Sequence, residues 1–226
     1  MLPVRLITSK MTRAPAAIEQ QLVPPPHMRS APAEIGTLTA TSTVLTIKGP
    51  RLASALSVGD RILTRDHGYQ SICYRRIFTP SEPHLRTAAS LMGLSSPLSI
   101  PTDGRLLLRS PMVQSVFNTD EALAPGHLLH KIGVAQPCET DHRSVFIAFP
   151  NHEVIFCDGA QMAAGCFTAG NWSAYPRSVR REVIAQLSQD SPSQNPHRST
   201  ARETLTEEHI PLLLALIGSG CSRAVA

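Results

Sequence analysis

The chain has 226 residues, of which 42% are hydrophobic and 17% charged, and its formal net charge is +4. This balance is ordinary for a globular protein with one sizeable core. Aromatic residues make up only 4% of the sequence and are not interleaved with the arginines. A base-stacking surface is therefore not indicated, and we expect no nucleic-acid partner.

The five cysteines form no C-x-x-C pair, which argues against a zinc ribbon, a thioredoxin-like motif and a complete disulfide framework. A reducing compartment fits this usage best. The first residues lack the apolar core of a secretory signal, and the longest apolar run, 210–217, is shorter than the roughly 20 residues of a bilayer span. We expect a soluble chain without a membrane span, cytoplasmic or exported without a cleavable signal peptide.

Residues 1–35 are rich in proline and follow no helical or strand period, so they are interpreted as a flexible leader. From 36 to 170, turn signals recur roughly every 8 to 12 residues, which predicts an all-β domain of many short strands. A single helical turn is predicted over 87–94. The predicted strands are 38–47, 61–64, 70–78, 98–100, 106–109, 113–117, 128–133, 144–149 and 153–157.

Residues 171–226 have a different pattern and are predicted to be a helical C-terminal extension. Apolar residues at helical spacing after Pro176 predict an amphipathic helix over 177–187. A polar, proline-containing stretch at 190–200 predicts a linker, and a last helix is predicted from Thr204 or Thr206 toward Gly218. The arginines of the first helix are interpreted as a solvated face, with contact to an acidic partner as the alternative: Arg177, Arg180 and Arg181.

The segment 42–68 is the most informative part of the sequence. It reads STVLTIKGPR at 42–51 and LSVGDRILTRDHG at 56–68, so alternating β-branched and polar residues are interrupted by glycine turns. This pattern resembles the opening of a bacterial Hint domain, the Hedgehog/intein autoprocessing module, and the resemblance extends loosely over 36–170. It implies a pseudo-twofold, horseshoe-shaped all-β fold and self-processing chemistry. Gly59-Asp60, its most family-like dipeptide, is interpreted as a structural turn.

The resemblance implies a nucleophile at the first residue of the domain, which attacks the preceding carbonyl through a thiol or hydroxyl. No cysteine precedes Cys73, so a thioester at this place is excluded. Thr41 and Ser42 are the best-placed hydroxyls for the role. The alternative interpretation is a threonine-rich strand, and the hydroxyls of the segment are Thr37, Thr39, Thr41, Ser42 and Thr43.

The resemblance also implies a Ser-Pro-x-His block whose histidine protonates the leaving nitrogen. Ser110-Pro111 resembles that block, but Val113 stands where the histidine belongs. His127 and His152 are the remaining candidates for the acid, although His152 is interpreted first as a surface histidine at a strand start. The His-Asn pair that ends such domains does not follow Asp158-Gly159, so the reactive positions are interpreted as degenerate.

Two further groups of residues offer the atoms of a metal site or of a disulfide. His127 and His130, with Cys138 and His142, offer zinc-ligand atoms, but on the predicted strand the first two would point to opposite faces, so no metal site is expected. Cys157 is predicted to be buried, with a disulfide to Cys166 as the alternative.

The sequence thus predicts a Hint-like module without self-cleavage, serving as a folding or interaction domain for an unidentified protein partner and requiring no cofactor. The alternative is a cis-autoprocessing domain that performs an N–O acyl shift and cleavage near Thr41/Ser42. A third interpretation is a zinc-binding interaction module that uses His127 and Cys138.

Overall fold

A computed structural model describes residues 36–88, 94, 96–138, 143–165, 172, 177, 180, 181, 183–185, 201–218 and 223–224. All of them belong to one unit, which spans residues 31–226. The predicted leader and the predicted linker at 190–200 lie outside the described residues. The division into three regions stays a prediction.

Short strands dominate the described residues. They are β1 (Leu38–Thr39), β2 (Thr43–Thr46), β3 (Gly49–Leu52), β4 (Arg61–Thr64), β5 (Gly68–Ser71), β6 (Tyr74–Phe78), β7 (Leu85–Thr87), β8 (Ser99–Ile100), β9 (Arg105–Arg109), β10 (Glu121–Pro125), β11 (Ala135–Pro137), β12 (Ser144–Ala148), β13 (Val154–Cys157), β14 (Ala160–Ala163) and β15 (Arg223–Ala224). The predicted all-β class is confirmed, and β4 has the bounds that the sequence predicts.

The helices whose bounds lie within the described residues are short. They are α1 (Pro111–Phe117), α2 (Gly126–Lys131) and α3 (Ile210–Gly218), with 3₁₀ turns at Ala53–Ala55 and Glu207–His209. Every described residue between 177 and 187 is helical, as predicted there. The segment 210–218 is helical despite its proline, which stands in the first turn, where its missing N–H costs nothing.

The strands form one large sheet and two small ones. The large sheet follows the order β10-β9-β14-β13-β2-β4-β5, with β3 paired to β2 and β15 paired to β9. The small sheets have the orders β1-β12-β6 and β11-β7-β8. All of these strand pairings are antiparallel. Because β13 pairs with both β2 and β4, the last third of the β domain is hydrogen-bonded directly to its beginning.

The turn at Gly59-Asp60 explains why the most family-like dipeptide is structural. Gly59 has a φ of +87°, which residues with a side chain rarely adopt. Asp60 Oδ2 accepts hydrogen bonds from the Ser57 amide at 2.8 Å and from Arg51 Nη1 at 3.0 Å. The turn therefore fixes the approach to β4, as the sequence predicts.

One hydrophobic cluster joins the β domain to the C-terminal helix. Leu38 of β1 and Leu106 of β9 are completely buried in it, together with Val113 of α1. Leu213 and Leu216 of α3 belong to the same cluster. Full burial of such a side chain contributes about 2 kcal/mol, so α3 is held by the same core as the strands.

The predicted strand over 113–117 is wrong, because these residues belong to α1. Ser110 is extended, and its Oγ accepts a hydrogen bond of 3.2 Å from the amide of Met112. Pro111 takes the first helical position, where its fixed φ is favourable. A capping serine followed by proline begins a helix, so the pair that resembles a Ser-Pro catalytic block is a helix start.

The predicted strand over 128–133 is also wrong, because α2 covers most of it. Leu128 and Leu129 are completely buried in the core, and His130 and Lys131 occupy the last turn, where positive charge is favourable. His127 and His130 therefore stand three residues apart on a helix and share a face. Thr87, the predicted start of a helical turn, is the last residue of β7, and 89–93 lie outside the described residues.

Candidate functional site

Thr37, at the amino edge of the β domain, has a buried hydroxyl group paired with a carboxylate. Its Oγ1 donates a hydrogen bond of 2.6 Å to Asp103 Oδ1, and the residue is 0% exposed. The amide of Gly36 donates to the carbonyl oxygen of Asp103 at 3.3 Å. The turn that precedes β9 thus supplies a carboxylate to the hydroxyl and also holds the residue before it.

Burial raises the pKa of the Asp103 carboxyl to about 6, although the hydrogen bond from Thr37 favours the ionised form. A carboxylate that titrates near neutral pH is an effective proton acceptor. A hydroxyl beside such a group has the arrangement of a nucleophile and its base.

Gly36 adds a steric constraint to this edge. Its φ is +80°, and a β-carbon at this position would clash with the carbonyl oxygen of Ala164. Only glycine fits there. The bond between residues 36 and 37 therefore lies close to the turn at 103 and to Ala164, which follows β14.

The hydroxyls favoured by the sequence have other surroundings. Thr41 is exposed in the turn between β1 and β2. Ser42 is 2% exposed, and its Oγ lies 2.6 Å from Thr39 Oγ1. Burial raises the pKa of the neighbouring Cys157 thiol, so this sulfur is a neutral core group, as predicted.

A histidine does lie one strand away from this serine. His84 Nε2 is 3.0 Å from Ser144 Oγ, and both side chains are completely buried. Ser144 is the cross-strand partner of Thr39. No local sequence pattern indicates the pair of His84 and Ser144, because its two members are 60 residues apart.

Ser110 and Val113 have structural roles. Ser110 Oγ caps α1, as described above, and Val113 is 0% exposed within the hydrophobic core. The position where the resemblance implies an acid thus holds an aliphatic side chain in an apolar environment.

His152 is 6% exposed and is held from both sides by backbone groups. The amide of Ala201 donates to its Nδ1 at 2.8 Å, so the ring proton is on Nε2, which donates to the carbonyl oxygen of Ala164 at 3.0 Å. Burial lowers the pKa of this histidine to about 4. The prediction of a surface histidine is wrong, because the segment that begins at residue 201 covers it.

His127 and His130 are exposed, and each lies near a backbone carbonyl: that of Thr102 at 3.4 Å and that of Ala135 at 2.9 Å, respectively. The geometric argument against a zinc site, which assumed a strand, does not apply to α2. Within the residues that the structure describes, no three histidine, cysteine or acidic side chains are close enough to hold a metal ion. His142 lies outside those residues.

A separate network of charges lies where β4, β10 and β13 meet. Arg65 bonds to Glu121, whose second oxygen accepts from Arg202 Nε at 2.6 Å. Arg202 also reaches Asp66 Oδ1 at 2.9 Å. This network ties the segment at 201–205 to the β domain.

At the edge of this network a buried carboxylate faces a half-exposed imidazole. The side chain of Glu153 is 1% exposed, and both of its oxygens lie 3.0 Å from Nδ1 of His67. The hydrogen bond with Glu153 and its negative charge raise the pKa of His67.

Of the sequence-predicted residues, then, Thr41, Ser42, Ser110, His127 and His152 each have separate surroundings. The structure instead brings together Thr37 and Asp103, which are 66 positions apart. The signal that could have found this site is Gly36-Thr37, the first glycine-threonine pair of the segment.

No helix in the described part of the chain is long and apolar enough to cross a membrane. None of the curated proteins matches the sequence significantly.

Two solved structures illustrate what the chain is similar to. A splice-inactive variant of the AceL NrdHF class 3 split intein has 9% sequence identity and a TM-score of 0.35, over 57% of this chain and 96% of its own. A bacterial intein-like domain from Clostridium thermocellum has 8% identity and a TM-score of 0.36, over 57% and 99% of the two chains.

A protein-family model gives the assignment. The model of the Hint domain matches residues 37–166, more than half of the chain, and its first matched residue is Thr37. The chain therefore belongs to the Hint domain family.

Proposed function

We propose that this Hint domain does not cleave its own backbone and serves as a folding and interaction module. The observation that carries the proposal is the set of partners of the candidate hydroxyls. Thr37 donates to a carboxylate, Ser42 pairs with Thr39, and Ser110 caps a helix. None of these described hydroxyls has an imidazole as its hydrogen-bond partner, which supports a site without an acid–nucleophile pair.

The environment of His152 supports the same proposal. Both ring nitrogens bond to backbone groups, and the pKa of about 4 keeps the ring neutral at physiological pH. A general acid must carry a proton that it can transfer to the leaving nitrogen. The buried Val113 has none to give.

The test is the intact mass of the purified full-length chain after prolonged incubation at neutral pH, with and without hydroxylamine. We expect one species at the full mass under both conditions. A truncated species that accumulates with time would contradict the proposal.

The pair formed by Thr37 and Asp103 favours a second candidate function, self-processing at the bond between Gly36 and Thr37. In this step Thr37 Oγ adds to the carbonyl carbon of Gly36 while its proton moves to the Asp103 carboxylate. The C–N bond then breaks, and Asp103 returns the proton to the Thr37 nitrogen. The resulting ester is hydrolysed by water, which leaves a carboxylate on Gly36 and restores the hydroxyl.

The two functions give different masses in the same experiment. Under the second, hydroxylamine releases residues 1–36 as a hydroxamate, Thr37→Val prevents the release, and Asp103→Asn slows it. Thr41→Val is the matched control, since it removes an exposed hydroxyl four residues away. Equal effects of the two threonine variants would exclude cleavage at Thr37.

A further inference from the structure

We propose that the helical segment beyond the Hint-matched residues binds a nucleoside phosphate, with its phosphate on three arginines and its base against Trp172. The arginines are Arg177, Arg180 and Arg181. This inference deepens the proposed interaction role by naming a ligand chemistry, and it concerns residues outside 37–166, the range matched by the family model.

The first observation is a cavity. Trp172, Arg177, Arg180, Arg181 and Ile184 line an open cavity of about 300 Å³. This volume lies at the lower end of the range for small-molecule sites and suits a ligand of mononucleotide size. The lining combines one indole and one aliphatic side chain with three guanidinium groups.

The second observation is the uncompensated charge. Among the described residues, ion pairs join Arg51 to Asp60, Arg65 to Glu121, Arg109 to Asp120, and Arg202 to Asp66 and Glu121. No carboxylate among the described residues pairs with the three arginines of the cavity. Their positive charge is therefore available to an anion from solution.

The third observation is that the cavity wall is anchored. Val183 is completely buried in a cluster with Tyr74 of β6 and Phe146 of β12. Trp172 packs against the same cluster. Side chains that are already packed lose less freedom when a ligand binds, which reduces the ordering cost of binding.

These groups match the two ends of a nucleotide. Guanidinium groups bind phosphate oxygens through paired, charge-assisted hydrogen bonds. An indole offers a flat apolar face on which a base stacks. A ligand with only a base or only a phosphate would contact only the indole or only the guanidinium groups.

Trp172 is the only tryptophan of the chain, so its fluorescence reports on this cavity alone. The experiment titrates the full chain at low salt with ATP, adenosine and tripolyphosphate, and repeats each titration by calorimetry. We expect saturable binding of ATP that weakens as salt is added, with adenosine and tripolyphosphate each at least about tenfold weaker.

Two variants with the same change in charge provide the control. Arg181→Gln removes one cavity guanidinium and should weaken ATP binding about tenfold. Arg86→Gln removes an exposed arginine of β7, in another sheet, and should leave binding unchanged.

Three outcomes would overturn the inference: no saturable ATP binding by either method, equal losses in the two variants, or tripolyphosphate binding as tightly as ATP. The proposed absence of self-cleavage is read from the intact mass without nucleotide. Failure of one proposal therefore leaves the other unaffected.

Discussion

The stability of the buried Glu153 carboxylate depends on its ion pair with His67. The carboxylate of Glu153 is almost fully buried, while the side chain of His67 is 54% exposed. Removing one member of such a pair costs more than the pair contributes, because the remaining charge is left buried without compensation. The contribution of the pair itself is reduced by solvent screening at His67.

We expect His67→Ala to lower the free energy of unfolding by about 1 to 3 kcal/mol at pH near 6. The raised pKa of His67 means that the charged pair stabilises the fold below the unfolded pKa of 6.5 and loses this effect as pH rises through the folded value. The cost of His67→Ala should therefore be smaller near pH 9. Urea denaturation of His67→Ala and of the double variant with Glu153→Gln checks this, and a double variant less stable than His67→Ala would contradict it.

Asp103 should destabilise the fold at neutral pH, because burial raises the pKa of its carboxyl from 3.8 to about 6. The folded state takes up a proton between these two values, so this group's contribution to stability falls as pH rises through that window. Asp103→Asn keeps an oxygen acceptor for Thr37, and it should raise the free energy of unfolding by about 1 to 3 kcal/mol at neutral pH and by nothing near pH 4.

The matched control is Asp120→Asn, for which the expected change in the free energy of unfolding has the opposite sign. Arg109 lowers the pKa of Asp120 through a hydrogen bond, so Asp120→Asn should destabilise the protein at neutral pH and have no effect at low pH. Denaturation curves at both pH values provide the measurement. A shift of the same sign in both variants would show that charge burial at Asp103 is not the cause.

Among the elements, α1 is the clearest case of local chemistry deciding structure. Its first turn depends on the Ser110 hydroxyl and on Pro111, and its end at Asn118 takes a left-handed φ of 55°. The family resemblance places the same residues at the position of a Ser-Pro-x-His block, with Val113 in place of the histidine, beside a strand predicted over 113–117. The capping serine followed by proline is the sequence signal that agrees with their helical conformation.

Ser110→Ala should lower the free energy of unfolding by about 1 kcal/mol, because the Met112 amide loses its acceptor. Ser115→Ala, in the same helix but exposed, should change it by less than about 0.5 kcal/mol. Urea denaturation compares the two variants, and equal losses would refute the capping role.

The sequence predicts β4 with its observed bounds, because alternation and the flanking glycine turns act locally. The predicted strand over 38–47 is divided into β1 and β2 by a turn at 40–41. The contacts that define the amino edge are not local. Thr37 and Asp103 are 66 residues apart, and His152 meets Ala201 across 49. Composition and local spacing do not indicate which distant residues form hydrogen bonds. The sequence therefore favours Thr41 and Ser42 only because of their positions in the family pattern.

At the scale of the folded unit, the described C-terminal segment, 201–218, is hydrogen-bonded to the β domain. The amide of Leu205 donates to the carbonyl oxygen of Leu123 at 2.9 Å, and the amide of Leu123 donates to the carbonyl oxygen of Glu203 at 2.8 Å. Leu205 is 1% exposed. Further along, Lys131 of α2 pairs with Glu207 at 2.8 Å. We therefore expect the residues at 201–218 to unfold together with the β domain.

Leu205→Ala should lower the free energy of unfolding by about 2 to 4 kcal/mol, because it opens a cavity in the shared core. Leu214→Ala, in the same segment but 50% exposed, should cost less than about 1 kcal/mol. Both variants should unfold in a single transition when followed by urea denaturation. A separate early transition for Leu205→Ala would mean that the segment is an independent unit.

The pairing of β15 with β9 has a consequence for synthesis. A nascent chain that has emerged from the ribosome as far as residue 166 contains the whole family-matched segment, yet Arg109 and Leu108 still lack their partners Arg223 and Ala224. At that moment the amide of Ala201 has not reached His152 either. The domain can thus complete its hydrogen bonding only after residue 224 has emerged from the ribosome. Until then, β9 has unpaired backbone groups that are accessible to chaperones.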